Sequence, residues 1–409
     1  DSTSVAAGLD DQWKRNFAMV SVWSSHLDPT DGVMWDISPA GMGSDGSFTT
    51  DPDEFEEYYD FFNGGGVHPG HDLNPYTGEP YETQLVPRGD YARCLAEFWA
   101  DGPDSETPPG HWFTILNDIM DYPEFECRWR GQGPVIDELE FTVKAYLALA
   151  GAMHDSAIST WSIKGYHDYT RPVSAIRYMA EHGQSSDTTL TNYHPSGLPL
   201  VPGYIEVVEE ADPLATWNPE AVGEIKVYAW RGPDYVEVPF IDEAGVGWIL
   251  AKNWWPYQRP SFVTPPFAGY VSGHSTFSRA AAEVLTLLTG SEYFPGGLGS
   301  WPVTMNQFLV FEDGPSQSFE LQWATYYDAA NESALSRMWG GIHPPMDDGR
   351  ARQIGIEVGI QAFHCAEGYS WPELAEGCGG AGFLPGGFCP GDFNADATVN
   401  VADFLLFLN

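Results

Sequence analysis

Apolar positions in the middle of the chain recur at helical rather than two-residue spacing. From 135 to about 164, Leu139, Val143, Tyr146, Leu147, Ala150, Met153 and Ala157 fall into one stripe and predict a core helix. Pro172 suits the first turn of a second helix, running through 181. A third is predicted over 272–289, with Ser272 as N-cap and Gly290 as its stop, and two more over 331–339 and 348–363. Upstream, 91–100 and 113–120 have helical spacing, and 225–230 with 235–239 reads as a small hairpin. Several helices, irregular connections and few strands imply an all-α fold, a helical bundle with long irregular loops.

The spacing of turn residues divides the chain. Residues 1–133, with Gly64-Gly65-Gly66, many prolines and an acidic run over 53–60, read as a loop-rich N-terminal part packed on the core. Within it, the polar turn DGPDSETPPGHW at 101–112 leads into a helix. Residues 134–365 form the helical core, 366–390 a Gly/Pro-rich linker, and 391–409 a separate tail.

Composition narrows the class. With 409 residues, 43% hydrophobic and 14% aromatic, the chain has enough apolar mass for a large interior. Its formal charge of −40, from 58 acidic against 18 basic residues, disfavours nucleic acid and anionic membrane as partners. An anion site in such a protein must bring cations close together and shield them from solvent. No apolar run is long enough for a transmembrane segment, and Asp1 does not open a signal sequence, so the expectation is a processed, exported protein, periplasmic, cell-surface or secreted. The five cysteines contain no CxxC pair; a Cys365–Cys378 disulfide and buried free thiols are both open.

Three segments carry the candidate chemistry. In the first, Lys164 and Arg171 flank the loop between two predicted helices. In the second, Ser272-Gly273-His274 opens a helix whose unpaired amides and dipole favour an anion. The third sets out Arg337, then His343 and Asp347; a helix end at Gly340-Gly341 lets the chain fold back so that Arg337 and His343 converge, and Asp347 can hold the ring tautomer of His343. Singly, each also reads as a helix cap, a surface cation or a core histidine. Together they supply three cations, a hydroxyl, helix amides and two histidines, the donors a tetrahedral oxyanion requires.

In order and spacing, these segments resemble the three-part signature shared by vanadium-dependent haloperoxidases and type 2 phosphatidic-acid-phosphatase-like acid phosphatases. Val271 stands where that signature carries proline, and the resemblance spans roughly 85–361, with the 101–112 turn similar to bacterial haloperoxidases. It implies vanadate as cofactor, with His343 on vanadium, Asp347 orienting it, and Lys164, Arg171, Arg337, Ser272 and the Gly273 amide on the oxygens. His274 is the implied acid-base residue, and Lys164 the one that polarises the oxidant. Hydrogen peroxide and a halide are then the substrates, a small organic acceptor can follow, and hypohalous acid or its equivalent is the product.

The acid phosphatase remains the alternative, with His343 attacking phosphorus and His274 protonating the leaving group. Trp161 and Phe267 match aromatic positions on the halide side of haloperoxidase sites, and an apolar wall suits a weakly hydrated halide. Phe267 stands where algal bromoperoxidases tend to carry histidine; ease of oxidation puts bromide and iodide ahead of chloride. A third reading is a non-catalytic anion-binding or surface scaffold. Against it, a binding site needs no acid-base partner such as His274. The aromatic content leaves a homo-oligomer interface open.

In the tail, Asp392, Asn394, Asp396, Asn400 and Asp403 occupy positions 1, 3, 5, 9 and 12 of a loop similar to an EF-hand, followed by a short apolar helix. Ala397 replaces the usual glycine, and the segment resembles the first half of a dockerin. That resemblance implies calcium as ligand and a surface-anchoring partner.

Overall fold

The computed structural model of the chain describes residues 11–44, 46–49, 51–100 and 106–370. The calcium-loop positions 392–403, Cys378 and the start of the polar turn at 101–105 lie outside the described residues. The helices are α1 (Gln12–Trp23), α2 (Pro39–Met42), α3 (Arg88–Phe98), α4 (Pro108–Asp121), α5 (Glu138–His167), α6 (Pro172–His182), α7 (Pro213–Trp217), α8 (Gly273–Thr289), α9 (Tyr326–Trp339) and α10 (Pro345–Ser370). The strands are short: β1 (Met34–Asp36), β2 (Leu85–Pro87), β3 (Ile205–Val207), β4 (Ile225–Trp230), β5 (Val246–Leu250), β6 (Gly299–Val303) and β7 (Phe319–Trp323). They form three antiparallel sheets, β1-β2, β3-β4-β5 and β6-β7, peripheral to an all-α bundle.

The bundle is α5, α8, α9 and α10, with α8 at its centre and buried over nearly its whole length. Its closest approach is made by small residues. A Cβ on Gly355 would meet the Thr276 carbonyl oxygen at 2.8 Å, and one on Gly359 would meet that of Ala280 at 2.5 Å, so α10 lies backbone to backbone against α8.

Helix ends follow their caps. Asp137 accepts from the amides of Leu139 and Glu140, Ser272 from that of Ser275, and Gly290 closes α8 in the left-handed region at φ 72°. Helix α10 begins at Pro345 rather than 348 and runs beyond 365, because Ala366 is buried and Glu367 accepts from Trp129 and Arg130.

Two expectations need correction. The stripe on α5 is not its buried face: Leu139, Val143 and Leu147 are 71%, 60% and 48% exposed, while Phe141, Ala145, Ala148, Ala152, Ser156, Thr160 and Lys164 are buried. The side against α8 and α10 takes small residues because close helix packing leaves little room for branched aliphatics. The hairpin also differs. Strand β4 pairs with β3 and β5, not with 235–239, where Asp242 takes the amides of Glu237 and Val238.

Cys94 and Cys127 are free, and Cys365 is disulfide-bonded. Among the described residues no helix is long and apolar enough to cross a membrane.

Candidate active site

Five chain segments meet at one end of the bundle. The buried seam of α5 runs through Ala152, Ser156 and Thr160 to Lys164, one turn before the helix ends at Asp168 in the left-handed region. Lys164 Nζ donates to the carbonyls of Ala268 (2.9 Å) and Gly269 (2.7 Å). Arg171, the residue before Pro172 at the start of α6, donates from Nε to Phe267 O (3.0 Å) and from Nη2 to Ala268 O (3.2 Å). One loop of carbonyls, 267–269, thus gathers both cations.

The same loop delivers the start of α8. The Tyr270–Val271 peptide is cis, and Ser272 N donates to the carbonyl of Asp347 (2.9 Å), tying α8 to the first turn of α10. Ser272 Oγ accepts from Ser275 N and Oγ, which leaves its own proton to donate. A Cβ on Gly273 would sit 3.2 Å from the Trp161 ring, so only glycine lets a ligand approach this amide beside the indole.

Helix α9 supplies Arg337 and turns at Gly341 (φ 72°), where Ile342 N and His343 N both reach back to Arg337 O. His343 Nδ1 lies 2.7 Å from Asp347 Oδ2, and its Nε2 lies 3.0 Å from Arg171 Nη1, which also donates to Ile342 O. The proton on Nδ1 is held by the carboxylate, so Nε2 presents a lone pair. On the opposite side, the carbonyl of Trp99 accepts from Arg337 Nη1 (3.2 Å) and from His274 Nε2 (2.7 Å).

Lys164, Arg171, Ser272, His274, Arg337, His343 and Asp347 are all buried. Burial, then the charge of Arg171, lowers the Lys164 pKa against the pull of Asp347; burial likewise lowers Arg171 to about 10. His343 is held well below the usual imidazole range by burial and by Arg171, Lys164 and Arg337. His274 is held down in the same way by burial and Arg337. Three buried cations with Asp347 as the carboxylate among them leave a local positive excess that a multiply charged oxyanion would compensate. The donors suit vanadate: three cationic side chains, a hydroxyl, helix amides and one imidazole lone pair.

Trp161 and Phe267 are each 39% exposed, with ring centroids 5.1 Å apart, and lie 5.8 and 5.4 Å from Lys164 Nζ. They form an aromatic rim over the cations. Sequence reasoning missed the Trp99 carbonyl, since a backbone acceptor has no residue-type signal, and also Phe277, whose ring lies 6.1 Å from that of Trp161. It noted the turn containing His111 but not the residue, whose charge state is coupled to His274 and Arg337.

Residues 144–370, more than half of the chain, match the family model of the VCPO second helical-bundle domain. Among curated proteins no sequence matches. Similar solved structures are a holo-type bacterial vanadium-dependent chloroperoxidase (18% identity, 70% of this chain and 45% of that one, TM-score 0.45) and an apo-type form (16%, 74% and 61%, TM-score 0.42). A third is described as the first bacterial vanadium-dependent iodoperoxidase (22%, 66% and 43%, TM-score 0.37). The chain spans less than two thirds of the length of each. The bundle helices α8, α9 and α10 and most of α5 fall inside the matched span, and the chain belongs to the vanadium haloperoxidase family through its VCPO second helical-bundle domain.

Proposed function

We propose that the chain binds vanadate and uses hydrogen peroxide to oxidise a halide, bromide or iodide ahead of chloride, to hypohalous acid or its equivalent. The observation that carries this reading is the fixed His343 tautomer: Nδ1 is tied to Asp347 and the Nε2 lone pair is turned toward Arg171. His343 Nε2 would bind vanadium, while Lys164, Arg171, Arg337, the Ser272 hydroxyl and the Gly273 amide would hold its oxygens. Bound vanadate supplies a Lewis acid that activates peroxide toward halide without changing its oxidation state.

The remaining roles belong to the protein. His274 donates Nε2–H to Trp99 O, so its Nδ1 is the atom that takes and returns a proton. Lys164 adds a positive charge that draws electron density from the oxidant. Trp161 and Phe267 offer a weakly hydrated halide an apolar approach past a strongly acidic surface.

The test is bromide and iodide turnover with peroxide, on metal-stripped protein with and without added vanadate, beside a phosphate-ester hydrolysis assay. Vanadate-dependent halide oxidation that is lost in folded His343→Ala is the expected result. Ester hydrolysis inhibited by vanadate, with no halide oxidation, would assign the same residues to a phosphatase through a phospho-histidine.

A further inference from the structure

Behind the Trp99 carbonyl lies a cavity of about 200 Å³ that the proposed reaction does not use. Its walls include Phe98, Phe294, Trp301, Trp323 and Ile115, with the ring of His111 among them. Phe98 packs on Trp301 (5.4 Å) and stacks on Trp323 (6.0 Å), and Phe294 stacks on Trp323 from the other side (6.1 Å). A somewhat smaller apolar cavity, of roughly 150 Å³, is enough to bind benzene.

His111 is the polar exception in this wall. It is 4% exposed, and its ring packs between Phe98 (5.0 Å) and Trp99 (5.2 Å). Nδ1 faces acceptors, the Glu106 carboxylate at 3.6 Å and the Phe98 backbone, so it carries the proton. Nε2 is buried with no hydrogen-bond partner. An unanswered acceptor at a dry aromatic wall is costly and calls for a donor.

We propose that this cavity is the binding site for a small neutral aromatic molecule with one hydrogen-bond donor, a single-ring phenol being the fitting class, held by the aromatic walls and by donation to His111 Nε2. Charge sets the neutrality. Asp118 lines the cavity near Asp121 and Glu106 and disfavours anions. A permanent cation would leave Nε2 unanswered and face the repulsion that Arg337 extends to His111. Trp99 joins the two sites, with its ring against His111 and its carbonyl on His274 and Arg337. The phenol's further role as acceptor of the oxidised halogen rests on the proposed function; its binding does not.

The experiment is a ligand titration of the full chain without vanadate or peroxide, read by ligand-observed NMR and tryptophan fluorescence. Phenol should bind saturably, and anisole, the same ring without the donor, at least ~10-fold more weakly. His111→Phe should weaken phenol by a similar factor, and Ile115→Trp, which fills the cavity, should abolish binding. Equal affinity for phenol and anisole, preference for tetramethylammonium, or undiminished binding in folded His111→Phe would each overturn the proposal. The phenol-anisole comparison needs no variant and stands if either substitution fails to fold. Phenol binding in a protein that oxidises no halide would remove the haloperoxidase reading and keep the cavity site. Halide oxidation without phenol binding would do the reverse.

Discussion

His343 and Asp347 face one another across one turn of chain at 2.7 Å, and Asp347 has no exposed surface. The same residue gives its backbone carbonyl to Ser272 N, so one aspartate sets both the imidazole and the start of α8. Its side chain and its backbone can be separated by substitution.

Asp347→Asn keeps the backbone link and removes the charge that holds the His343 proton on Nδ1. Vanadate affinity, measured by calorimetry with orthovanadate, should fall ~10- to 100-fold with a near-native melting temperature. Unchanged affinity would show that Arg171 and the fold alone orient the ring.

His274 and Arg337 share the Trp99 carbonyl, yet their proposed tasks differ. His274→Ala should lower halide turnover at saturating vanadate by ~100-fold or more, because a proton-transfer group is lost. Vanadate affinity should change much less than in His343→Ala. Parallel losses of both would make His274 a ligand rather than an acid-base residue.

Glu332 is buried, accepts from Tyr91 Oη (3.0 Å) and Trp99 Nε1 (3.1 Å), and is pushed by burial up to about 7. A raised carboxyl pKa means that the folded state keeps a proton the unfolded chain releases. Its contribution is therefore full below the unfolded value, near 4.5, and is lost as pH rises toward 7, by up to ~3 kcal/mol. Urea unfolding of wild type and Glu332→Gln at pH 5 and pH 7.5 isolates this group from the opposing His26, whose pKa burial lowers to about 3. The variant should lose less stability over that interval, and identical pH slopes would refute the assignment.

Gly359→Ala tests the bundle itself. The new Cβ would meet Ala280 O at 2.5 Å and Glu283 Cβ at 2.8 Å, and neither can move without shifting α8. A loss of ~1–3 kcal/mol in urea unfolding is expected. A neutral result would mean that α10 can slide on α8, and the His274-Asp347 region should then also tolerate it.

What was legible in the chain was local. Ser272 and Gly290 bracket α8, Pro172 starts α6 and Gly341 turns the chain after Arg337, because caps and breakers act through hydrogen bonds and φ angles within a few residues. The three cation-rich segments likewise stood out, since a chain with 18 basic against 58 acidic residues has few cations to cluster by chance.

The tertiary structure alone decided which face of α5 is buried and how the segments meet. The aliphatic stripe through Leu139, Val143 and Leu147 faces outward, and the small-residue seam leading to Lys164 faces α8 and α10, because helix proximity selects for size as well as hydrophobicity. The groups that gather the cations are backbone carbonyls, of Ala268 and Gly269 for Lys164, of Phe267, Ala268 and Ile342 for Arg171 and of Trp99 for Arg337. Every residue carries a carbonyl, so composition and spacing cannot say which ones converge; only the path of the folded chain does.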